Sequence, residues 1–260
     1  MGRTTHFALP NGPVGAVGRF GRMATRLPSL RRPPIAFAHR GARAHAPENT
    51  LEAFELALRL GATGIESDAW LTADGRAVLD HDGLVGGRLR RRSIGEVARA
   101  ELPDHIPELD ELYERCGTAY ELSLDLKDDA VAEAVVAAAE RAGEVAVARL
   151  WLCHPRLDTL VDWRARWPEV HLVHSTTLRR LEGTSERHAA ALADHGIDVV
   201  NLHQTEWTGG MVALYHRFER LAFAWDVQFD HLMDDLFDAG IDALYSDHVD
   251  RLAASLAKLD

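Results

Sequence analysis

From residue 34 onward, short apolar runs alternate with longer segments whose apolar residues recur at helical spacing. The short runs predict strands at residues 35–39, 64–70, 120–127, 147–153, 170–174, 198–203, 221–227 and 243–246. The longer segments predict helices at residues 50–60, 106–116, 130–142, 156–167, 186–195, 210–218, 230–239 and 248–259. Several of these helices are followed by a glycine suited to end them, at Gly61, Gly117, Gly143 and Gly240.

Eight strands that alternate with eight helices predict a closed parallel barrel, the (β/α)₈ TIM-barrel fold of the α/β class. The alternative is a doubly wound open sheet, which normally has fewer strands and a glycine-rich dinucleotide turn after its first strand. No GxGxxG pattern follows residues 35–39, so the sequence favours the barrel. We assign residues 34–260 to one barrel domain with a short insertion after the second strand, at residues 77–102.

The insertion is expected over the C-terminal mouth of the barrel, where this fold builds its active sites. It contains a basic run formed by Arg88, Arg90, Arg91 and Arg92. Two interpretations stay open for this run: a solvated loop, or a cationic surface beside a phosphate site.

The net charge of the chain limits the kinds of molecule that it is expected to bind. The chain has 29 Lys and Arg against 40 Asp and Glu, a net charge of −11, which argues against broad binding to nucleic acid or anionic membranes. Residues 1–33 differ, because they hold six arginines, no acidic residue and several Gly and Pro. We interpret residues 1–33 as a flexible basic tail rather than a surface-binding arm.

The cysteines and the hydropathy of the sequence give an expectation of where in the cell the protein is found. Cys116 and Cys153 form no CxxC pair, so neither a disulfide framework nor a structural zinc site is expected. No apolar run approaches the length of a membrane span, and no secretory signal is evident. These features favour a cytoplasmic protein.

Chemistry-bearing residues stand at the ends of the first strands. His39 and Arg40 follow the first strand and offer a proton-transfer group beside a phosphate-binding guanidinium, although either alone is weak evidence. Glu66 and Asp68, two apart on the second strand, point to the same face and therefore into the barrel near its top. Carboxylates placed there repel each other and lose hydration, which a divalent cation held by oxygen ligands relieves.

The third strand repeats this pattern with Asp125 and Lys127. An internal ion pair is one interpretation; a third metal-ligating carboxylate is the other, and the neighbouring acidic strand favours it. His81, just beyond the second strand, supplies a second histidine. This combination of residue types predicts a phosphoryl-transfer site in which a cation and basic side chains stabilise charge while histidines move protons.

Other polar residues carry weaker signals. Residues 47–54 predict a helix start, with Asn49 as the cap and Glu52 reaching back in a capping box, while Glu48 and Asn49 have the site as an alternative location. Further polar residues at predicted strand ends, most simply structural, are His154, His174, His203, Gln204 and Asp247.

With these residues the sequence resembles the glycerophosphodiester phosphodiesterase family. The resemblance is carried by residues 38–41 (AHRG), 47–51 (PENTL), 53–54, 61–62, 65–66, 68, 72, 74–75, 78 and 81–82. Weaker similarity at residues 106–109, 124–127, 224–227 and 240–247 extends it over about residues 35–250.

The resemblance implies a metal-dependent enzyme that hydrolyses small-molecule glycerophosphodiesters to sn-glycerol 3-phosphate and an alcohol, with bound Mg²⁺ or Ca²⁺. It implies His39 and His81 as a general acid/base pair, and Arg40 and Lys127 as phosphate-binding residues. It also implies Trp225 as the aromatic wall of the substrate pocket, with an ordinary core tryptophan as the alternative. The implied metal ligands are Glu66, Asp68 and Asp125.

The sequence departs from the family pattern in two places. Asp125 stands where the family usually has glutamate, so this ligand is one methylene shorter. The stretch after Asp82 lacks the Pro and Arg-Thr-Thr often found there, in a region that helps to select the head group. Two alternatives remain: a phosphodiesterase resembling lysophospholipase D or sphingomyelinase D, and a phosphodiester-binding barrel without catalysis. No amphipathic stripe indicates a lipid surface, and every main position is filled, so hydrolysis of glycerophosphodiesters is favoured.

Overall fold

The computed structural model describes residues 26–87 and 90–259, so Arg88 and most of the basic segment 1–33 lie outside the described residues. Its strands are β1 Ile35–Ala38, β2 Gly64–Leu71, β3 Ala77–Leu79, β4 Leu84–Val85, β5 Arg92–Ser93, β6 Glu121–Leu126, β7 Leu150–His154, β8 His171–Ser175, β9 Val199–His203, β10 Leu221–Trp225 and β11 Ala243–Ser246. Its helices are α1 Leu51–Arg59, α2 Leu109–Cys116, α3 Val131–Ala142, α4 Glu144–Val147, α5 Leu157–Arg166, α6 Ser185–Asp194, α7 Gly209–Arg217, α8 Asp230–Asp238 and α9 Val249–Leu256.

Eight of the strands form a closed parallel barrel, which confirms the predicted fold. The order around the barrel is β1, β11, β10, β9, β8, β7, β6 and β2, and pairing of β2 with β1 closes the ring. Helices lie between consecutive barrel strands. All the strands therefore end at the same mouth, where their C-terminal residues meet.

Two apolar layers stabilise the barrel. Inside, Phe37 stacks on Tyr245 with ring centroids 4.7 Å apart, and Trp151, Val173 and Phe223 complete a buried cluster. Outside, a larger cluster joins the other faces of the strands to the helices. Burial of both strand faces explains why the strands appear in the sequence as nearly continuous apolar runs.

Gly64 shows how closely this interior is packed. A Cβ atom at residue 64 would lie 2.5 Å from the ring of Phe37, a separation that real contacts do not reach. Glycine at the start of β2 therefore leaves room for the aromatic ring that fills the lower barrel.

The insertion after β2 is a compact cap at one side of the mouth. Strand β3 runs antiparallel to β2, with Ala69 opposite Leu79, and β4 pairs with β5. Buried Val78, Ile94 and Leu102 belong to a small apolar cluster of its own. The insertion predicted at residues 77–102 thus has its own core and its own strands.

The segment before β1 packs onto the bottom of the barrel. The carboxylate of Asp242, fully buried, accepts hydrogen bonds from the Ser29 hydroxyl, from the backbone N–H groups of Leu30 and Arg31, and from Ala222 N. Among the described residues, 26–31 therefore contact the barrel, although they lie upstream of the boundary drawn from the sequence at residue 33. None of the helices in the described residues has the length and apolar character needed to cross a membrane.

A buried hydrogen-bonded chain lies between β8, α6 and α7. The Tyr215 hydroxyl lies 2.9 Å from His188 Nδ1, His188 Nε2 lies 2.8 Å from His174 Nδ1, and His174 Nε2 lies 3.1 Å from the Pro155 carbonyl oxygen. Because a carbonyl only accepts, His174 Nε2 donates, and every bond in the chain is then satisfied with both rings neutral. Burial, aided by neighbouring His174, lowers the pKa of His188 to about 4.

We predict that His188 makes folding stability depend on pH. Its folded-state pKa lies below the ordinary value of 6.5, so its stabilising contribution is complete above pH 6.5 and is lost as the pH falls towards 4. The shift corresponds to about 3 kcal/mol at pH 4. Urea unfolding at several pH values should show His188→Gln losing less stability on acidification than the wild type, whereas His231→Gln, on an exposed histidine, should follow the wild type. Equal pH dependence in wild type and His188→Gln would contradict the assignment.

Candidate active site

A cavity of 330 Å³ opens at the C-terminal mouth of the barrel. Most of its lining residues are polar or charged, and they come from all eight barrel strands or from the residues that directly follow them. The lining residues are His39, Arg40, Glu66, Asp68, Ser123, Asp125, Lys127, Cys153, Ser175, Asn201, Trp225, Asp226 and Tyr245. Seven of the eight site residues predicted from the sequence therefore meet in one cavity.

The acidic residues come together because β2 and β6 are neighbours in parallel register. Asp68 is paired with Asp125 across the two strands, and Glu66 lies two residues before Asp68 on the same face. Glu66 and Asp68 are 8% and 2% exposed. Burial raises the pKa of Glu66 to about 7, His39 opposes this rise, and the carboxylates of Asp68 and Asp125 add to it.

Lys127 lies between two of these carboxylates. Its Nζ is 2.9 Å from Asp68 Oδ1 and also contacts Asp125 Oδ2. Burial opposes the charged form, but the two carboxylates outweigh it and raise the pKa of Lys127. Lys127 therefore supplies the site with a permanent positive charge.

His39 is held by the carboxylate of Asp247. The register of β1 with β11 pairs Ala38 with Ser246, so the next residue on each strand meets at the mouth. Nδ1 of His39 lies 2.6 Å from Asp247 Oδ1 and donates to it, while Nε2 lies 3.9 Å from Glu66 Oε2. The other ring nitrogen thus faces the cavity without a hydrogen bond to Glu66.

The protonation of His39 is set by these neighbours. Burial lowers its pKa, but Glu66 and the hydrogen bond to Asp247 together outweigh burial, so the net pKa is raised above 6.5. Histidine with a raised pKa next to a carboxylate is well suited to give and take protons near neutral pH.

Arg40 adopts a left-handed backbone conformation, with φ of 52°. This turn directs its backbone N–H to Glu66 Oε2 at 2.9 Å, while its guanidinium donates to Glu48 at 3.0 Å. The Nε atom lies 3.5 Å from Asp68 Oδ2 and is buried without a hydrogen-bond partner among the described residues. One donor of Arg40 is therefore available for a ligand.

The helix start was predicted incorrectly in one respect. Thr50, not Asn49, caps α1, since its hydroxyl accepts from the N–H of Ala53. Asn49 has φ of 54° and turns inward, where its amide accepts from Ser67 and donates to Asp68 at 3.4 Å. Of the two interpretations of Glu48 and Asn49, contact with site residues is the one observed.

His81 is the predicted site residue that does not line the cavity. Hydrogen bonding of the Asp80 N–H to the carbonyl of Asp68 brings this part of the chain back towards the carboxylates. The imidazole of His81 is 38% exposed and its Nδ1 lies 2.8 Å from Asp82 Oδ1. His81 thus lies at the rim, on the insertion side.

Trp225 and Asn201 shape the opposite side. Trp225 is 37% exposed and packs edge-on against His203, so it belongs to the rim and not to the core. Asn201 is 6% exposed; its amide nitrogen donates to Ser175 Oγ at 3.2 Å, whereas its Oδ1 has no partner among the described residues. A buried acceptor without a partner is costly unless a ligand satisfies it.

The polar residues that the sequence marked as weaker site candidates lie in different places. Asp247 belongs to the site, through His39, and the sequence signalled it by its place at a strand end and by the motif that ends in Ser246-Asp247. His154 pairs with Asp129 at 3.0 Å, and His174 belongs to the buried chain described above. Asn201 was missed, because a single asparagine in a strand carries no distinguishing pattern.

Metal ligation was predicted for Glu66, Asp68 and Asp125. Within residues 26–87 and 90–259, no three His, Cys, Asp or Glu side chains are grouped closely enough to hold a metal ion. Lys127 occupies the space between two of the three carboxylates. The acidic residues share one cavity, and their arrangement is that of an ion-paired cluster.

Comparison with known proteins finds sequence similarity in the segment that contains His39, Arg40, Glu66, Asp68 and His81. Residues 39–110 match the model of the Glycerophosphoryl diester phosphodiesterase family. The glycerophosphodiester phosphodiesterase of Bacillus altitudinis is 59% identical over 46 residues, which is 18% of this chain and 19% of that protein. Glycerophosphodiester phosphodiesterase 1 of Mus musculus is 42% identical over 98 residues, covering 31% and 30% of the two chains. The aligned segments thus span less than a third of these relatives.

Similarity of fold extends much further than similarity of sequence. A phosphodiesterase from Oleispira antarctica, solved in complex with the product sn-glycerol 3-phosphate, superimposes with a TM-score of 0.74. The superposition covers 86% of this chain and 97% of that chain at 23% identity. Glycerophosphodiester phosphodiesterase from Thermotoga maritima gives a TM-score of 0.72 at 22% identity. These structures share the barrel.

We predict that Asp247→Asn lowers the pKa of His39, because it removes a carboxylate that stabilises the imidazolium. NMR titration of the His39 ring should show a lower midpoint in the variant. Asp226→Asn is the matched control, since Asp226 lines the same cavity but contacts His203. An unchanged His39 midpoint in Asp247→Asn, in a folded protein, would show that this hydrogen bond does not set the protonation of His39.

Proposed function

We propose that this chain, whose residues 39–110 match the Glycerophosphoryl diester phosphodiesterase family, hydrolyses glycerophosphodiesters to sn-glycerol 3-phosphate and an alcohol. The observation that carries the proposal is the meeting of a histidine, an arginine, a lysine and three carboxylates in one barrel-mouth cavity. Such a set can bind a phosphodiester and exchange protons with its oxygens.

The acidic residues suit a divalent cation in their chemistry. Glu66, Asp68 and Asp125 offer carboxylate oxygens, the ligands that Mg²⁺ and Ca²⁺ prefer. The pKa of Glu66, raised by burial and by the other two carboxylates, reflects the mutual repulsion that a cation would relieve. We infer that these three residues hold Mg²⁺ or Ca²⁺ once their side chains turn towards the ion, because in the structure they are ion-paired and are not grouped closely enough to ligate one. A bound cation would neutralise charge on the phosphodiester and polarise its phosphorus–oxygen bonds.

Two basic residues would position the phosphate. Nε of Arg40 is buried 3.5 Å from Asp68 Oδ2 and has no hydrogen-bond partner among the described residues, so a phosphate oxygen can accept from it. The ammonium group of Lys127 provides a second donor on the β6 side. Together they would bind the equatorial oxygens, where negative charge builds up during phosphoryl transfer.

Proton transfer is assigned to His39 and His81. In hydrolysis a water oxygen bonds to phosphorus, the bond from phosphorus to the alcohol oxygen breaks, and a proton passes from the water to the departing alcohol. Nε2 of His39, with Nδ1 anchored on Asp247, is oriented to exchange one proton with these oxygens. His81, at the rim, is proposed as the second acid/base group.

Asn201 is proposed to contact the glycerol half of the substrate. Its free Oδ1 lies in the cavity floor, where a glycerol hydroxyl could donate to it. Trp225 would form the wall beside it. A polar, hydroxyl-accepting floor favours glycerol over an acyl chain as the group bound inside the barrel.

The test is release of sn-glycerol 3-phosphate from glycerophosphoethanolamine. We expect release in the presence of Mg²⁺ or Ca²⁺, its loss after EDTA treatment, and recovery when the cation is restored. His39→Ala and His81→Ala should each lower kcat/KM by at least about 100-fold, because each removes an acid/base group. Folding of each variant is checked by circular dichroism.

His45→Ala is the matched control, because His45 pairs with Asp250 and does not line the cavity. It should retain wild-type activity. Near wild-type turnover in folded His39→Ala would refute the mechanism. Cleavage of lysophospholipids with no cleavage of glycerophosphodiesters would instead show the lysophospholipase D-like activity.

A further inference from the structure

The active-site cavity continues sideways through the wall of the mouth. A second cavity of 270 Å³, here called the side channel, is lined by Asp125, Pro155, Ser175, Thr176, Thr177, Arg180 and Trp225. Three of these residues, Asp125, Ser175 and Trp225, also line the active-site cavity. The two cavities therefore adjoin along a shared edge.

The side channel in turn adjoins a third, larger cavity. This outer groove of 830 Å³ extends along α5 and α6 and shares Pro155, Thr176 and Arg180 with the side channel. A continuous path thus runs from the carboxylates, between the connections that follow β7 and β8, to the helical surface. If the proposed function holds and the glycerol phosphate half lies in the barrel, this path is available to the alcohol half.

The charge of the side channel indicates what it would accept. Its two charged side chains are Asp125 and Arg180. Asp125 is ion-paired with Lys127, which also contacts Asp68, whereas no ion pair involves Arg180 within the described residues. Hydroxyl groups of Ser175, Thr176 and Thr177 make up most of the remaining polar lining. The channel therefore combines hydroxyl groups with one uncompensated positive charge.

The position of Arg180 is fixed by its backbone. It ends a short 3₁₀ turn, Leu178–Arg180, and its N–H donates to the carbonyl of Thr177 at 2.9 Å. The start of the turn is anchored by Glu206, whose Oε1 accepts from Leu178 N at 2.9 Å. The neighbouring Arg179, also exposed, lines none of these cavities.

We propose that the side channel binds the alcohol half of the substrate and that Arg180 recognises an anionic group on that alcohol. The preferred substrates are then glycerophosphodiesters whose alcohol carries a carboxylate or a second phosphate. An alcohol that bears only a cation would meet Arg180 with like charge, and the channel offers it no free carboxylate. Arginine binds carboxylate and phosphate alike through parallel N–H donors, so both anions fit.

Two matched substrate pairs test this proposal. Glycerophosphoserine differs from glycerophosphoethanolamine by one carboxylate, and phosphorylated glycerophosphoglycerol differs from glycerophosphoglycerol by one phosphate. We expect the wild type to prefer the anionic member of at least one pair by about tenfold in kcat/KM. Preference in only one pair would identify which anion is bound.

Arg180→Gln should bring that preference to about one, and Arg180→Lys should restore part of it, since the charge returns without the planar donors. Arg179→Gln removes the same charge from the adjacent residue and should keep the wild-type preference. Hydrolysis of both members of both pairs at equal rates would overturn the role of the channel while leaving the proposed function intact. Hydrolysis of none of the four would refute the proposed function itself. A preference that survives in Arg180→Gln would overturn the assignment to Arg180.

Discussion

Electrostatic repulsion among the carboxylates of Glu66, Asp68 and Asp125 determines where the other charged groups of the site lie. Parallel pairing of β2 with β6 brings Asp68 beside Asp125, and the two-residue period of β2 adds Glu66. Two groups of the cavity are arranged against this charge: Lys127 bridges two carboxylates, and the backbone N–H of Arg40 donates to the third. The site can therefore bind an anionic ligand only when further positive charge balances the three carboxylates.

Closure of the barrel completes the site. His39 lies beside Glu66 because β1 pairs with β2, and beside Asp247 because β1 also pairs with β11. One histidine is thus held between the beginning and the end of the barrel, and its raised pKa depends on both neighbours. The mouth also remains open at the side of β7 and β8, where Arg180 lies. The glycerol phosphate half of the substrate and its head group can therefore bind in different parts of the barrel mouth, the first in the cavity and the second at the side of β7 and β8.

The sequence was sufficient for the fold and for most of the cavity, because both depend on short-range patterns. Alternation of apolar runs predicts the barrel, and the two-residue period predicts that Glu66 and Asp68 share a face. Contacts between distant residues were harder: Asp247 is 208 residues from His39, and only the closed ring brings them together. Asn49 appeared to be a helix cap, since its left-handed backbone, which turns it inward, leaves no mark in the sequence. His81 is the opposite case, because it belongs to a strong sequence motif but lies at the rim and does not line the cavity.

Measurement of divalent-cation binding decides whether the three carboxylates form a metal site. Calorimetric titration of Mg²⁺ or Ca²⁺ into EDTA-treated, desalted protein should be done at pH 8, above the pKa of about 7 that burial and neighbouring carboxylates give Glu66. We expect one bound ion per chain, with affinity at least about tenfold weaker in Glu66→Gln and unchanged in Glu52→Gln, whose residue is exposed on α1. Absence of binding by the folded wild type, or equal binding by Glu66→Gln, would contradict it.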